Sequence, residues 1–91
     1  MPEQATVASM QRLIAQVREQ SPSQIVVDRD TRFVTDLGLA SLELIALVFL
    51  CEQTFAVQLV SQPGLLARLH TIGVAIDAIG DLQRAAEPAH A

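Results

Sequence analysis

The stretch from Ser41 to about Thr54 constrains this chain more than any other, because it is helical in period and apolar on two sides. At about 100° per residue, Leu44, Leu47, Val48, Cys51 and Phe55 form one stripe. Leu42, Ile45 and Phe49, with the small Ala46, form a second on roughly the opposite side. A helix in a small bundle needs one such stripe. Either this helix is central and covered on both sides, or the second stripe is a surface for docking a partner. Ser41 is the last small polar residue before the run, which is the place of an N-cap, beside the unpaired N–H groups of a first turn. The same place favours a phosphate. Gly38, just upstream, has no Cβ and permits a tight turn with close approach to the backbone.

The rest of the chain reads as support for that junction. Met1 to Ala5 carry no periodicity and are expected to fray. A first helix starts near Thr6, with Val7, Met10, Leu13, Ile14 and Val17 recurring at steps of three and four. Ser21-Pro22-Ser23 is expected to end it, since proline cannot continue the hydrogen-bond ladder. From Gln24 to Ala40 no helical period can be found. A long loop with apolar residues is more consistent with function than with disorder. Val27, Phe33 and Leu37 are expected to pin it to the bundle, with Asp28, Asp30 and Thr31 making local turns. Ile25-Val26-Val27 could instead be a short strand, although nothing obvious pairs with it. After a turn at Ser61-Gln62-Pro63-Gly64, a short third helix is expected over Leu65 to Leu69. A fourth runs from Ile72 to about Leu82, with Ile72, Ala75, Ile76 and Ile79 inward. These readings give an all-α fold: a small four-helix bundle over residues 6–84, between a frayed 1–5 and a flexible tail 85–91.

Ninety-one residues make one small domain, which buries only roughly 60–65% of its unfolded surface. Apolar residues are 51% of the chain and all three aromatic residues are Phe, so the core is aliphatic. The net charge is −4, with no Lys and no basic cluster, which argues against a nucleic-acid partner. One cysteine, Cys51, cannot form an internal disulfide and lies in the apolar helix, where it reads as a small buried hydrophobe. No basic start with an apolar segment and no membrane-length apolar run is present, so a soluble, cytoplasmic protein is expected.

The inventory of reactive groups is short. His70 and His90 are the only histidines, and neither is near a Cys, Asp or Glu at metal-ligand spacing. No catalytic set and no metal site are expected. Asp36 and Ser41 could be half of a hydrolytic pair, but the serine would lack a histidine base. From the residues, Ser41 is a cap or a site that another enzyme modifies.

Val27-Asp28-Arg29-Asp30-Thr31-Arg32-Phe33-Val34-Thr35-Asp36-Leu37-Gly38-Leu39-Ala40-Ser41-Leu42, followed by a helix closing on Cys51-Glu52-Gln53-Thr54-Phe55, resembles the acyl carrier protein family. There an Asp-Leu-Gly-x-Asp-Ser-Leu stretch presents the serine to which a transferase attaches 4′-phosphopantetheine. The resemblance runs from the first helix to Asp77-Ala78-Ile79, and departs from the motif at Ala40, where Asp is usual. It implies a carrier, not an enzyme, with Ser41 bearing the group from coenzyme A. Asp36, Gly38, Leu39 and Leu42 would surround that group. Leu42, Glu43, Ile45, Ala46, Phe49 and Glu52 would meet partners: the phosphopantetheinyl transferase, then acyl-loading, condensing or modifying enzymes of a fatty-acid or polyketide-type system. The family is usually monomeric. Its second helix is usually strongly acidic, whereas Glu43 and Glu52 are the only acids here, so partners would rely more on apolar contact. The alternatives are a carrier for aminoacyl or peptidyl groups, and a carrier-like interaction module that is never modified.

Overall fold

The structure, a computed structural model, describes residues 3–86. It is all-α, with three long helices and no strand among the described residues. Helix α1, Val7–Arg18, begins where Thr6 and Ser9 cap each other. Thr6 Oγ1 accepts the Ser9 N–H at 3.0 Å and Ser9 Oγ accepts the Thr6 N–H at 2.7 Å, satisfying two of the donors that a helix start leaves open. Met10, Leu13, Ile14 and Ala15 are buried on its inner face.

Proline does not end α1. Glu19 turns left-handed at φ 56° and the Gln20 N–H returns to the Ala15 carbonyl at 2.9 Å, so the helix stops before Pro22 is reached. Pro22 instead opens a 3₁₀ turn, Pro22–Gln24, which Gln11 fastens to α1 by donating to the Pro22 and Ile25 carbonyls at 2.7 and 2.6 Å.

The segment from Ile25 to Ala40 is a loop, as its lack of period suggests, and Ile25-Val26-Val27 forms no strand. Phe33 is buried and Val27 and Leu37 pack partly against the core; Ile25 and Leu39 are further buried anchors. Backbone bonds latch the loop to the last helix. Phe33 N–H donates to the His70 carbonyl at 3.0 Å, Ile72 N–H to Thr31 at 3.0 Å, and Gly73 N–H to Arg29 at 2.8 Å. The loop carbonyls thereby cap a helix whose first N–H groups would otherwise lack partners. Asp28 Oδ1 accepts the Asp30 N–H at 2.8 Å and Thr31 Oγ1 accepts the Asp28 N–H at 2.9 Å, the local turns expected there.

Helix α2, Ser41–Phe55, buries Leu47, Cys51 and Phe55, with Leu44 and Val48 half-buried beside them. Its expected short successor, α3, is a single turn, Leu65–Arg68. The bundle therefore consists of α1, α2 and α4, with the loop filling the remaining side of the core. Helix α4, Ile72–Ala86, turns Ile72, Ala75 and Ile79 inward, with Ile76 and Leu82 partly buried. It runs past the expected end near Leu82 because Gln83, Arg84, Ala85 and Ala86 are good helix formers and no breaker intervenes. Ala85 and Ala86 thus belong to the helix, and the rest of the expected tail lies outside the described residues, as does His90. At the other end, Glu3 to Ala5 are tethered. Glu3 pairs with Arg12 at 2.7 Å, its carbonyl accepts from Gln83 at 2.7 Å, and Ala5 packs on the core. Met1 and Pro2 lie outside the described residues.

Candidate functional site at the start of the second helix

The chain reaches Ser41 through a tight turn. Asp36 and Leu37 N–H groups both donate to the Arg32 carbonyl at 3.1 Å, and Gly38 N–H donates to Val34 at 2.9 Å. Gly38 has φ +66°, the left-handed conformation that a Cβ disfavours, and this fixes why glycine stands there. Leu39 then drops into the core, so it anchors the junction and does not line its surface.

Ser41 is not the N-cap. Ala40 holds that position with extended backbone (φ −76°, ψ 164°), and its carbonyl accepts the Leu44 N–H at 2.9 Å. Alanine offers no side-chain oxygen, so only half of a capping box forms: the Glu43 carboxylate accepts the Ala40 N–H at 2.9 Å. Ser41 is the first helical residue, exposed, and its hydroxyl takes part in none of the hydrogen bonds among the described residues. A hydroxyl with no structural duty stands at the positive end of a fifteen-residue helix.

Arg18, at the end of α1, holds this end of α2 in place. Its Nη2 donates to the Leu37 carbonyl at 2.6 Å, and its Nε lies 3.6 Å from Glu43 Oε2. No pattern in the sequence singled out Arg18, since its partners lie nineteen and twenty-five positions away; only a cation in the last turn of a helix hinted at a role.

Asp36 and Glu43, on either side of Ser41 in the chain, and Glu52, in the last turn of α2, are each hydrogen-bonded within the chain. Asp36 accepts the Arg32 backbone N–H at 2.8 Å and the Nε–H and Nη2–H of the Arg32 guanidinium at 3.3 Å each, and these bonds hold its carboxyl below the ordinary 3.8. Glu43 is shared between Ala40 and Arg18. Glu52 Oε2 accepts the Leu59 and Val60 N–H groups at 2.7 and 3.1 Å, clamping the turn after α2. The expectation that Glu43 and Glu52 point to partners thus meets two acids with internal work.

The second apolar stripe of α2 is not covered. Leu42 is 79% exposed, Ile45 51% and Phe49 53%, and Ala46 is exposed with them. Beside the stripe lies a groove of about 200 Å³ lined by Leu44, Ile45, Val48, Phe49, Val60 and Leu69. Val60 and Leu69 were not anticipated as neighbours of this face, because the irregular turn that delivers them has no period to read. Cys51 lies on the inner side, where burial, with a smaller contribution from the Glu52 charge, pushes its thiol up to about 12.

Among the described residues, no group of three His, Cys, Asp or Glu is placed to hold a metal ion, and no helix is long and apolar enough to cross a membrane. The sequence matches no protein-family model and no curated protein.

Proposed function

We propose that this chain is a carrier of acyl intermediates, modified on Ser41 with 4′-phosphopantetheine. The observation that carries the reading is the exposed Ser41 hydroxyl, idle in the fold and set at a helix start that favours a phosphate. The surroundings fit the group: Ala40 and Leu42 are exposed on either side, and Gly38 brings the backbone round without a side chain in the way. In the modification, Ser41 Oγ attacks the proximal phosphorus of coenzyme A. The new P–O bond forms as the bond to 3′,5′-adenosine diphosphate breaks, and a base on the transferase takes the hydroxyl proton. Once attached, the group supplies a terminal thiol that holds an acyl chain as a thioester.

The chain's own residues present the hydroxyl and keep the junction rigid. Arg18 and Glu43 tie the helix start to α1, and the loop latch to α4 fixes the approach. A cytoplasmic, monomeric carrier serving loading, condensing and modifying enzymes of a fatty-acid or polyketide-type system follows from the same reading. The apolar groove beside α2 favours an acyl cargo over an aminoacyl or peptidyl one. One observation favours a second reading: with Ala40 before the serine and every nearby carboxylate engaged, the exposed stripe could belong to an interaction module that is never modified.

Intact mass after incubation with coenzyme A, magnesium and a broad-specificity phosphopantetheinyl transferase separates the two. A gain of one phosphopantetheinyl group, absent from Ser41→Ala, is expected. Because Ser41 is not the cap, Ser41→Ala should change stability by no more than about 0.5 kcal/mol, so the loss reads out chemistry alone. No gain on the folded protein with several transferases would leave the interaction module.

A further inference from the structure

Helix α2 closes its first turn with one side chain of its own. Ala40, at the cap position, offers no acceptor, and Glu43 folds back to take the Ala40 N–H at 2.9 Å. What holds Glu43 comes from another helix. Arg18, the last residue of α1, lays its guanidinium across the junction, with Nη2 on the Leu37 carbonyl at 2.6 Å and Nε 3.6 Å from Glu43 Oε2. Leu37 lies four residues before Ser41 and Glu43 two after it, so one side chain brackets both the approach to the hydroxyl and the turn that carries it. Arg18 also brings a cost. Its side chain is only 28% exposed, and its Nε is buried with no hydrogen-bond partner. A donor stripped of water without an acceptor costs about as much as a charge-assisted bond returns. The two contributions largely cancel in the stability of the whole domain, while the contacts themselves act only at the junction.

We infer, resting on the carrier reading, that Arg18 is a positioning residue for modification of Ser41, supplying from α1 the restraint that a side-chain cap at residue 40 would supply from within α2. Without it the first turn frays, and only the chains with that turn formed present the hydroxyl to the transferase. Modification slows by that fraction. The two restraints do the same work, so a cap oxygen at residue 40 makes Arg18 dispensable.

The test is a double-mutant cycle on kcat/KM for modification of the full chain by a broad-specificity phosphopantetheinyl transferase. It joins Arg18→Met, which keeps the apolar stem, to Ala40→Asn, a neutral cap. Arg18→Met is expected to lower kcat/KM about tenfold, the size of one lost charge-assisted bond. Amide exchange at Leu44, whose N–H binds the Ala40 carbonyl, should speed up in parallel. Tm is expected to stay within about 4 °C of wild type. Ala40→Asn is expected to recover about fivefold in the Arg18→Met background and to change the wild type by less than about twofold. A guanidinium that touched the transferase directly could not be replaced in this way by a cap. Ile79→Val, on the buried face of α4, serves as the destabilised control: Tm should fall by about 4–8 °C with kcat/KM unchanged. Arg18→Gln, too short to bridge the two groups, takes the place of Arg18→Met if that variant does not fold.

Modification of the Arg18 variant at the wild-type rate would overturn the inference and leave the carrier reading standing. So would a loss that Ala40→Asn does not repair, or an equal loss in Ile79→Val. No mass gain on the wild-type chain removes the carrier reading, and the inference with it.

Discussion

Gly73 and Gly80 lie two turns apart in α4, yet the structure assigns opposite consequences to the same change at each. At Gly73 an added Cβ would stand 2.9 Å from the Arg29 carbonyl oxygen and 3.2 Å from the Arg29 Cβ. That carbonyl is the one the Gly73 N–H binds at 2.8 Å, so the loop cannot retreat without losing the bond that latches it to α4. Overpacking of this kind costs about 1–3 kcal/mol. The helix propensity that alanine gains over glycine is at most about 1 kcal/mol, and less in a first turn. Gly73→Ala is therefore expected to lose about 1–2 kcal/mol, or about 4–16 °C in Tm for a domain of this size. At Gly80 the nearest foreign atom is Arg84 Nη1 at 3.5 Å, the far end of a flexible side chain at ordinary contact distance. Gly80→Ala should gain about 0.5–1 kcal/mol. Thermal unfolding followed by circular dichroism measures both, and amide exchange at residues 72 and 73 reports whether the latch has opened. If Gly73→Ala melts at or above the wild-type temperature, the close approach of the loop to α4 is wrong.

Ala40→Asp supplies the missing cap oxygen at the start of α2 and should stabilise the fold by about 1 kcal/mol, read as a higher urea midpoint at unchanged slope. Cys51, with its thiol raised to about 12 by burial, should resist a thiol reagent at neutral pH and react promptly once urea unfolds the chain. Asp36 has a folded pKa below 3.8, so the unfolded chain takes up the proton first as pH falls. Its contribution is complete above that value and disappears as pH drops through the lowered one. The stability gap between wild type and Asp36→Asn, measured by urea unfolding, should therefore be present at pH 6 and close in acid.

What the sequence made legible follows the helical period. The apolar stripes of α1 and α4, and the buried stripe of α2, are found where steps of three and four place them, because a packed helix buries one continuous face. Helix ends were less legible. Helix α1 stops at a left-handed Glu19 that no residue type announces, and α4 continues to Ala86 for want of a breaker. The N-cap was misplaced by one residue because residue preference points to Ser41, while the backbone puts the cap at Ala40, where no side chain can do the job. Contacts across distant sequence were not legible at all. Arg18 on Leu37, Glu52 on Val60 and Gly73 on Arg29 join segments whose approach only the packed fold decides.

The misplaced cap bears directly on the site. Had Ser41 been the cap, its hydroxyl would accept a backbone N–H and sit turned into the first turn, and modification would remove a stabilising contact. With Ala40 in that place, the fold gives up about 1 kcal/mol of capping and leaves the neighbouring hydroxyl outside the hydrogen-bond network. Glu43 and Arg18 offset part of that loss from the other side of the helix, away from the exposed stripe. The carboxylates that stiffen the junction, Asp36 and Glu43, are also those nearest Ser41 in the chain, so removing either loosens the first turn and takes away a charge beside the hydroxyl together.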